Sequence, residues 1–111
     1  MGSENPFIGE LEQMILLAVA RLGDGAYGRA IRQELEARTG RRVSHGAAYV
    51  TLDRLASKGY VSSTVGDPNP GRGGRPKRYF RVTREGARAL LESHRAFTNL
   101  WEGLDGVLEE A

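Results

Sequence analysis

Glycines and cationic side chains concentrate in one short stretch of this sequence. The run Gly71-Arg72-Gly73-Gly74 is followed at once by Arg-Pro-Lys-Arg-Tyr-Phe-Arg-Val-Thr, residues 75–83. Neighbouring glycines favour a loop, because they destabilise a regular helix or strand. The residues after the loop alternate, with Phe80 and Val82 on one face of a predicted strand and Lys77, Tyr79 and Arg81 on the other. A positively charged hairpin of this kind is suited to contact a nucleic-acid backbone.

The charge distribution supports the same chemistry. The 111-residue chain has a net charge of only +2, but its segments differ sharply. Residues 1–40 carry four cationic and six acidic side chains, residues 41–84 carry ten and two, and residues 85–111 carry two and six. A basic middle segment between acidic ends concentrates the attraction for a polyanion on one part of the molecule.

The hydrophobic pattern predicts the elements that would position this hairpin. Helices are predicted over Ile8–Leu22 and Tyr27–Thr39, and a third begins after Ser44, a good N-cap residue. Strands are predicted over Tyr60–Val65 and Lys77–Val82, joined by the loop from residue 66 to residue 74. The fold class is therefore mainly α with a two-stranded β-hairpin, a winged helix, which is a variant of the helix-turn-helix.

The same pattern assigns faces to the predicted helices. The first helix should bury Ile8, Leu11, Ile15, Val19 and Leu22, with the stripe widened by Met14, Leu17 and Ala18. The third helix should bury Ala48, Leu52 and Leu55 and turn Thr51, Asp53 and Arg54 outward, with Tyr49 near the boundary.

After Arg84, apolar and aromatic positions recur in steps of three and four, typical of a coiled-coil seam. This pattern predicts one C-terminal helix of about 25 residues, roughly 37 Å long. Such a helix is too long for the remaining body to cover, so a homodimer is expected. The domains are then a winged-helix domain, residues 8–83, and a C-terminal dimerisation helix, residues 84–110. The predicted interface residues are Leu90, His94, Phe97, Trp101, Leu104 and Leu108.

Phe97 and Trp101 allow two interpretations. They are either plain interface core or the lining of an apolar chamber between subunits that could stack a flat ligand. His94 occupies a seam position, where a hydrogen-bonded core histidine is the simpler interpretation and a pH-sensitive dimer is the alternative.

Several functions find no support in the sequence. The chain has no cysteine, which excludes disulfides and thiolate metal sites, and its two histidines lie in segments with different predicted roles. No nucleophile–base pair, cofactor motif or metal-ligand cluster is present, so an enzyme, a cofactor or a metal site is not expected. No apolar run approaches the roughly 20 residues of a membrane helix. A cytoplasmic location, away from the membrane, is expected.

Six short segments resemble the PadR-like transcriptional regulators over about residues 8–91. They are Leu11-Glu12, Ala26-Tyr27-Gly28, the run from Gly46 to Leu55, Lys58-Gly59-Tyr60-Val61, the run from Arg72 to Tyr79, and Val82-Thr83. The resemblance implies a dimeric winged-helix repressor that binds double-stranded DNA and often responds to small aromatic or amphiphilic molecules. The single terminal helix is similar to the small members of the family. One departure is Val50, where many relatives have proline.

The resemblance and the charge pattern together give the expected DNA-binding residues. They are Arg42, Ser44, His45, Gly46, Tyr49, Arg54, Arg72, Arg75, Lys77 and Arg78. The N-terminal residues of the third helix would face base edges, and the arginines of the hairpin would contact phosphates or the minor groove. Tyr49 matches the exposed tyrosine of the family, which implies a phosphate contact; the alternative is an aromatic packed between helix and strand.

Two other functions remain open from the sequence. A winged helix can serve as a protein-interaction module whose hairpin docks an acidic partner, and an arginine–glycine loop can bind RNA. Few aromatic side chains flank the loop to stack on single-stranded bases, which counts against RNA. Neither alternative displaces DNA binding as the first interpretation.

Overall fold

A computed structural model describes residues 8–66 and 76–111. Its helices are α1 (Glu10–Leu22), α2 (Gly28–Thr39), α3 (His45–Ser57), α4 (Arg84–Trp101) and α5 (Asp105–Glu109), with a 3₁₀ turn at Gly23–Gly25. Two strands, β1 (Val61–Val65) and β2 (Arg78–Val82), pair in an antiparallel sheet. The predicted class, a mainly helical winged helix with a two-stranded hairpin and a long C-terminal helix, is confirmed. Apart from the end of the C-terminal helix, helix and strand bounds differ from the predicted ones by one or two residues.

The three N-terminal helices pack around one apolar core. Its fully buried side chains include Ile15 and Leu16 of α1, Ile31 of α2, and Leu52 and Leu55 of α3. One part of the predicted α1 face is wrong, because Leu16 is buried and Leu17 is exposed. The helix buries neighbouring positions 15 and 16 because it contacts both α2 and α3.

The bounds of α2 and α3 follow from their end residues. Gly40 ends α2 with a φ of 76°, a left-handed conformation that glycine adopts without a Cβ penalty. Ser44 caps α3 as predicted, since its Oγ accepts a hydrogen bond from the Ala47 backbone N–H at 3.0 Å. The outward position predicted for Thr51 is wrong. Thr51 is buried, and its Oγ1 donates to the Ala47 carbonyl oxygen at 2.8 Å, which satisfies the hydroxyl inside the helix.

The base of the hairpin is held on both edges of β2. Val61 pairs with Val82 and Ser63 with Phe80 on the β1 side. On the other side, the Phe80 N–H donates to the Ala26 carbonyl oxygen at 2.8 Å, next to an isolated bridge between Tyr27 and Tyr79. The segment just before α2 therefore acts as a third, short strand and joins the hairpin to the helices.

Helix α4 begins close against the body. The Thr83 hydroxyl accepts from the Gly86 N–H at 3.0 Å and donates to the Gly59 carbonyl oxygen at 2.6 Å. A Cβ on Gly86 would overlap the Tyr60 carbonyl group, so only glycine permits this approach. Gly86, Ala89 and Ser93 are the buried residues of α4. Their small size lets the first half of the helix lie against its own chain.

The predicted 25-residue C-terminal helix is wrong in its length. Helix α4 has 18 residues and ends at Trp101, and Gly103 with a φ of 82° separates it from α5. A helix of 18 residues is about 27 Å long. Leu104 and Leu108 therefore do not continue the α4 seam on the same helix axis.

An ion pair between a buried glutamate and a half-exposed lysine joins α1 to the end of α3. The Glu12 carboxylate accepts hydrogen bonds from Lys58 Nζ at 2.9 and 3.0 Å and from the Gly9 N–H at 3.1 Å, and its side chain is 8% exposed. Burial alone raises the pKa of Glu12, but the hydrogen bonds and the charges of Lys58 and Arg54 lower it below its ordinary value of 4.5. This interaction therefore stabilises the fold above the pH at which unfolded glutamate titrates. The stabilisation is lost as the pH falls through the lowered pKa.

We expect Glu12→Gln to lower the free energy of unfolding at pH 7 by about 1–2 kcal/mol, because it removes a charge-assisted pair with a half-exposed lysine. The difference from the wild type should shrink as the pH falls from 4.5 towards 3. Urea unfolding at pH 7 and pH 3 measures both. Glu109→Gln, an exposed carboxylate in α5, is the control and should change little. A Glu12→Gln deficit of the same size at both pH values would contradict this assignment.

Candidate nucleic-acid interface

Helix α3 presents an exposed face at the surface of the three-helix body. Ala48, Leu52 and Leu55 are buried on its inner side. The opposite side carries Ser44, His45, Gly46, Ala47, Val50, Asp53 and Arg54, all of them exposed. The helix begins at this surface with the N-terminal backbone N–H groups, whose partial positive charge favours an anion. The predicted Ser44, His45, Gly46 and Arg54 are thus all accessible.

Three arginines flank the N-terminus of α3. Arg29 and Arg32 of α2, together with Arg42 and Ser44, line a surface depression of about 570 Å³. Arg32 is oriented by a hydrogen bond from its Nε to the Val43 carbonyl oxygen at 3.1 Å, and Arg42 pairs with Glu36 at 3.3 Å. We call Arg29, Arg32 and Arg42 the α2-side cations.

Arg42 is among the DNA-binding residues predicted from the sequence, whereas Arg29 and Arg32 are not. Their three-residue spacing places them on one helical face, which the sequence does show. What the sequence could not show is that this face of α2 lies beside Ser44. That placement depends on how α2 and α3 cross.

Arg78, the first residue of β2, lies on the hairpin side of the same helix, and Lys77 directly precedes it. Arg78 contacts Asp53 of α3, with 3.3 Å between Nη1 and Oδ1, and its guanidinium lies 4.9 Å from the centre of the Phe80 ring. Lys77 Nζ lies 4.2 Å from the centre of the Tyr27 ring. We call Lys77 and Arg78 the wing-side cations. Arg72 and Arg75, the predicted cations of the hairpin tip, lie outside the described residues.

Tyr49 is half-buried at the junction of α3, α2 and the hairpin. Its ring packs at 4.6 Å from the His45 ring and at 6.4 Å from the Phe80 ring, measured between centroids. Gly28 leaves the room for it, because a Cβ there would lie 2.8 Å from two Tyr49 ring atoms. This geometry favours the packed-aromatic alternative for Tyr49 over an exposed phosphate contact.

The predicted interface residues of the C-terminal region lie on a different surface. Leu90, Leu91 and His94 of α4 line a groove of about 750 Å³ with Leu17 of α1 and Arg81 of β2. Phe97 and Trp101 lie one turn apart on α4, and each is 52% exposed. From Phe97 to the last residue, every residue is exposed. Leu104 and Leu108 add to this apolar surface from beyond the end of α4.

Other kinds of site find no matching geometry in the described part of the chain. Residues 8–66 and 76–111 contain no group of three or more His, Cys, Asp or Glu residues that could hold a metal ion. Within those same ranges, no helix combines the length and apolar character needed to span a bilayer.

These elements define a winged-helix protein whose exposed third helix lies between cations from α2 and cations from the hairpin. The model of the transcriptional regulator PadR-like family matches residues 16–92. The chain therefore belongs to the PadR-like family of DNA-binding transcriptional regulators. A search of curated proteins finds no match.

Solved structures support this membership. The chain is 25% identical to a PadR-like transcription factor from Bacteroides fragilis, with a TM-score of 0.73 over 87% of this chain and 88% of that one. It is 28% identical to a PadR family transcriptional regulator from Eggerthella lenta, with a TM-score of 0.69 and coverages of 91% and 88%. A PadR-like transcriptional regulator from Bacillus cereus shares the fold at 21% identity, with a TM-score of 0.72 and coverages of 88% and 90%.

The contact between Gly28 and Tyr49 gives a prediction about how α3 is held. We expect Gly28→Ala to lower the free energy of unfolding by about 1–3 kcal/mol, because the new methyl group forces the Tyr49 ring away from α2. Gly46→Ala is the matched control, since a Cβ at that helical position meets nothing within 4 Å. It should stabilise the protein by up to about 1 kcal/mol through helix propensity. Urea unfolding compares the two, and equal stability of both variants would contradict the packed position of Tyr49.

Proposed function

We propose that this chain is a homodimeric repressor that binds a two-fold pseudo-palindromic DNA operator, with α3 in the major groove. The observation that carries the proposal is the position of α3 between the α2-side cations and the wing-side cations. A major groove is bordered by two phosphate backbones, so an inserted helix needs positive charge on both of its sides. The proposed base-facing residues are Ser44, His45 and Gly46, with Arg54 two turns further along.

The tip of the hairpin extends this proposal. Arg72 and Arg75 belong to the same basic segment as the wing-side cations, and they would contact the phosphates or enter the adjacent minor groove. Tyr49 has a supporting role here, because it packs against Gly28 and Phe80 and so keeps α3, α2 and the hairpin together.

The homodimer is supported by apolar surface that its own chain leaves uncovered. Phe97 and Trp101 are half-exposed, and Leu100 between them is 70% exposed. The groove between Leu17 of α1 and Leu91 of α4 extends to His94, one turn before Phe97. A second copy would bury both, and apolar surface of this extent is typical of an interaction site in a protein of this size.

Repression, rather than activation, is the part of the proposal that comes from the family resemblance. A dimer bound across an operator can exclude other proteins from the same DNA. The protein would act where the DNA lies, in agreement with the cytoplasmic location expected from the sequence.

Selection of bound fragments from random duplexes, followed by footprinting, tests the proposal. We expect two protected half-sites about 34–36 Å apart, or a multiple of that distance, and a solution mass twice the 12.1 kDa of the chain. A Phe97→Glu/Trp101→Glu variant should be monomeric and bind the full operator at least about tenfold more weakly, because the second half-site no longer adds to the affinity. Asn99→Glu, on the opposite side of the α4 seam, is the control and should remain dimeric.

Other outcomes of the same experiment distinguish the alternatives. Absence of duplex binding at low salt would favour a protein-interaction module. A preference for single strands over duplex would favour an RNA-binding protein. A wild-type monomer at concentrations that saturate the operator would contradict the dimer.

An effector site between subunits is the second part of the proposal, with Phe97 and Trp101 as its lining. Two aromatic rings one turn apart on α4 could hold a flat aromatic or amphiphilic molecule. Because Trp101 is the only tryptophan, its fluorescence should change when a planar aromatic dye such as Hoechst 33342 binds there. Phe97→Ala should weaken that binding about tenfold, whereas Asn99→Ala should not. Dye binding that leaves the Trp101 emission unchanged would contradict this site.

A further inference from the structure

Val50 is an apolar side chain in the middle of the proposed DNA-binding face. It is 57% exposed, whereas Ala48, Leu52 and Leu55 on the inner side of the same helix are completely buried. Gly46 and Ala47 precede it by four and three residues, and Arg54 follows by four, so these residues share its face. Nothing in the described part of the chain covers Val50.

Three polar residues near Val50 have partners within the chain. Ser44 Oγ accepts from the Ala47 N–H, and Asp53 is paired with Arg78. Thr51 is buried and bonded to the Ala47 carbonyl oxygen. The outward face of the first two turns contains no Arg, Lys, Asn or Gln, the residues that bind purines with two hydrogen bonds. Apolar contact is therefore what Val50 itself can add to base recognition, beside the proposed base-facing His45 and Arg54.

The major groove of unmodified DNA displays one apolar group, the C5-methyl of thymine. We propose that Val50 contacts the C5-methyl groups of thymines in each half-site and so contributes a preference for A·T pairs there. This inference rests on the proposed function, because it requires α3 to enter the major groove.

Two features of the surface make the contact sterically and electrostatically possible. Gly46 and Ala47 have little or no side chain, so the N-terminal end of α3 can approach the bases closely. The α2-side cations and the wing-side cations lie on either side of this face, where they would hold the two phosphate backbones and leave Val50 above the groove.

The test replaces thymines of the selected operator, one at a time, by deoxyuridine, which lacks only the methyl group. For the wild-type protein we expect the Kd to rise by about three- to tenfold at one or two thymines per half-site, the size expected from the burial of one methyl group. Val50→Ala should bind the thymine operator about as weakly as the wild type binds the deoxyuridine operator. Replacement of thymine by deoxyuridine should change the Kd of Val50→Ala little.

Controls separate this contact from general effects. Val107→Ala removes a similarly exposed valine from α5 and should keep the wild-type sensitivity to deoxyuridine. Val50→Ala lies on an exposed helix face and should fold, which circular dichroism verifies.

Three results would overturn the inference. They are equal Kd values for thymine and deoxyuridine at every position with the wild type, equal sensitivity of wild type and Val50→Ala, and an operator without thymine under α3. Each of them leaves duplex binding intact. Complete absence of duplex binding would instead remove the proposed function, and this inference with it.

Discussion

The hydrogen bond from the Phe80 N–H to the Ala26 carbonyl oxygen is the contact on which the rest of the candidate interface depends. It attaches β2 to the segment that begins α2, and the Tyr27–Tyr79 bridge lies next to it. Phe80 is also buried in the core and packs edge-to-face with Tyr49 of α3. Hairpin, second helix and third helix are therefore one rigid unit. Residues that are distant in the sequence, such as Arg32 and Lys77, keep fixed positions relative to α3.

This rigidity matters because long cationic side chains are flexible on their own. An isolated surface ion pair contributes little to stability, as side-chain entropy and solvent offset the attraction. In this protein neighbouring groups hold these cations in place: Arg32 is bonded to a carbonyl oxygen, Lys77 lies over an aromatic ring, and Arg78 contacts both Asp53 and Phe80. Cations placed in this way before binding lose less conformational freedom when they meet phosphates.

The two halves of α4 differ in how their side chains are buried. Small buried residues hold its first half against the body, and after Ala96 no side chain is buried by its own chain. Exposed Phe97, Leu100 and Trp101 on a short helix are costly in water. The proposed homodimer would cover this surface, in line with the apolar spacing of α4.

Sequence periodicity determined the order and type of the elements, since a buried face must recur every 3.6 residues in a helix and every two in a strand. The residue types at the helix ends determined the Ser44 cap and the end of α2 at Gly40, because these depend on local backbone chemistry alone. The periodicity did not determine the end of α4, where Gly103 adopts a left-handed conformation that a repeat of apolar residues does not encode. The wing tip at Arg72 and Arg75 remains a prediction.

Only the tertiary structure decided which neighbouring residues face inward and which distant residues meet. Leu16 rather than Leu17 is buried, and Thr51 faces inward, because α1 and α3 each contact several elements at once and their buried faces are wider than one stripe. The position of Tyr49 beside Gly28, and of Arg29 and Arg32 beside Ser44, depends on the crossing of α2 and α3. Such crossings arise from the packing of whole side-chain surfaces, which local sequence spacing does not specify.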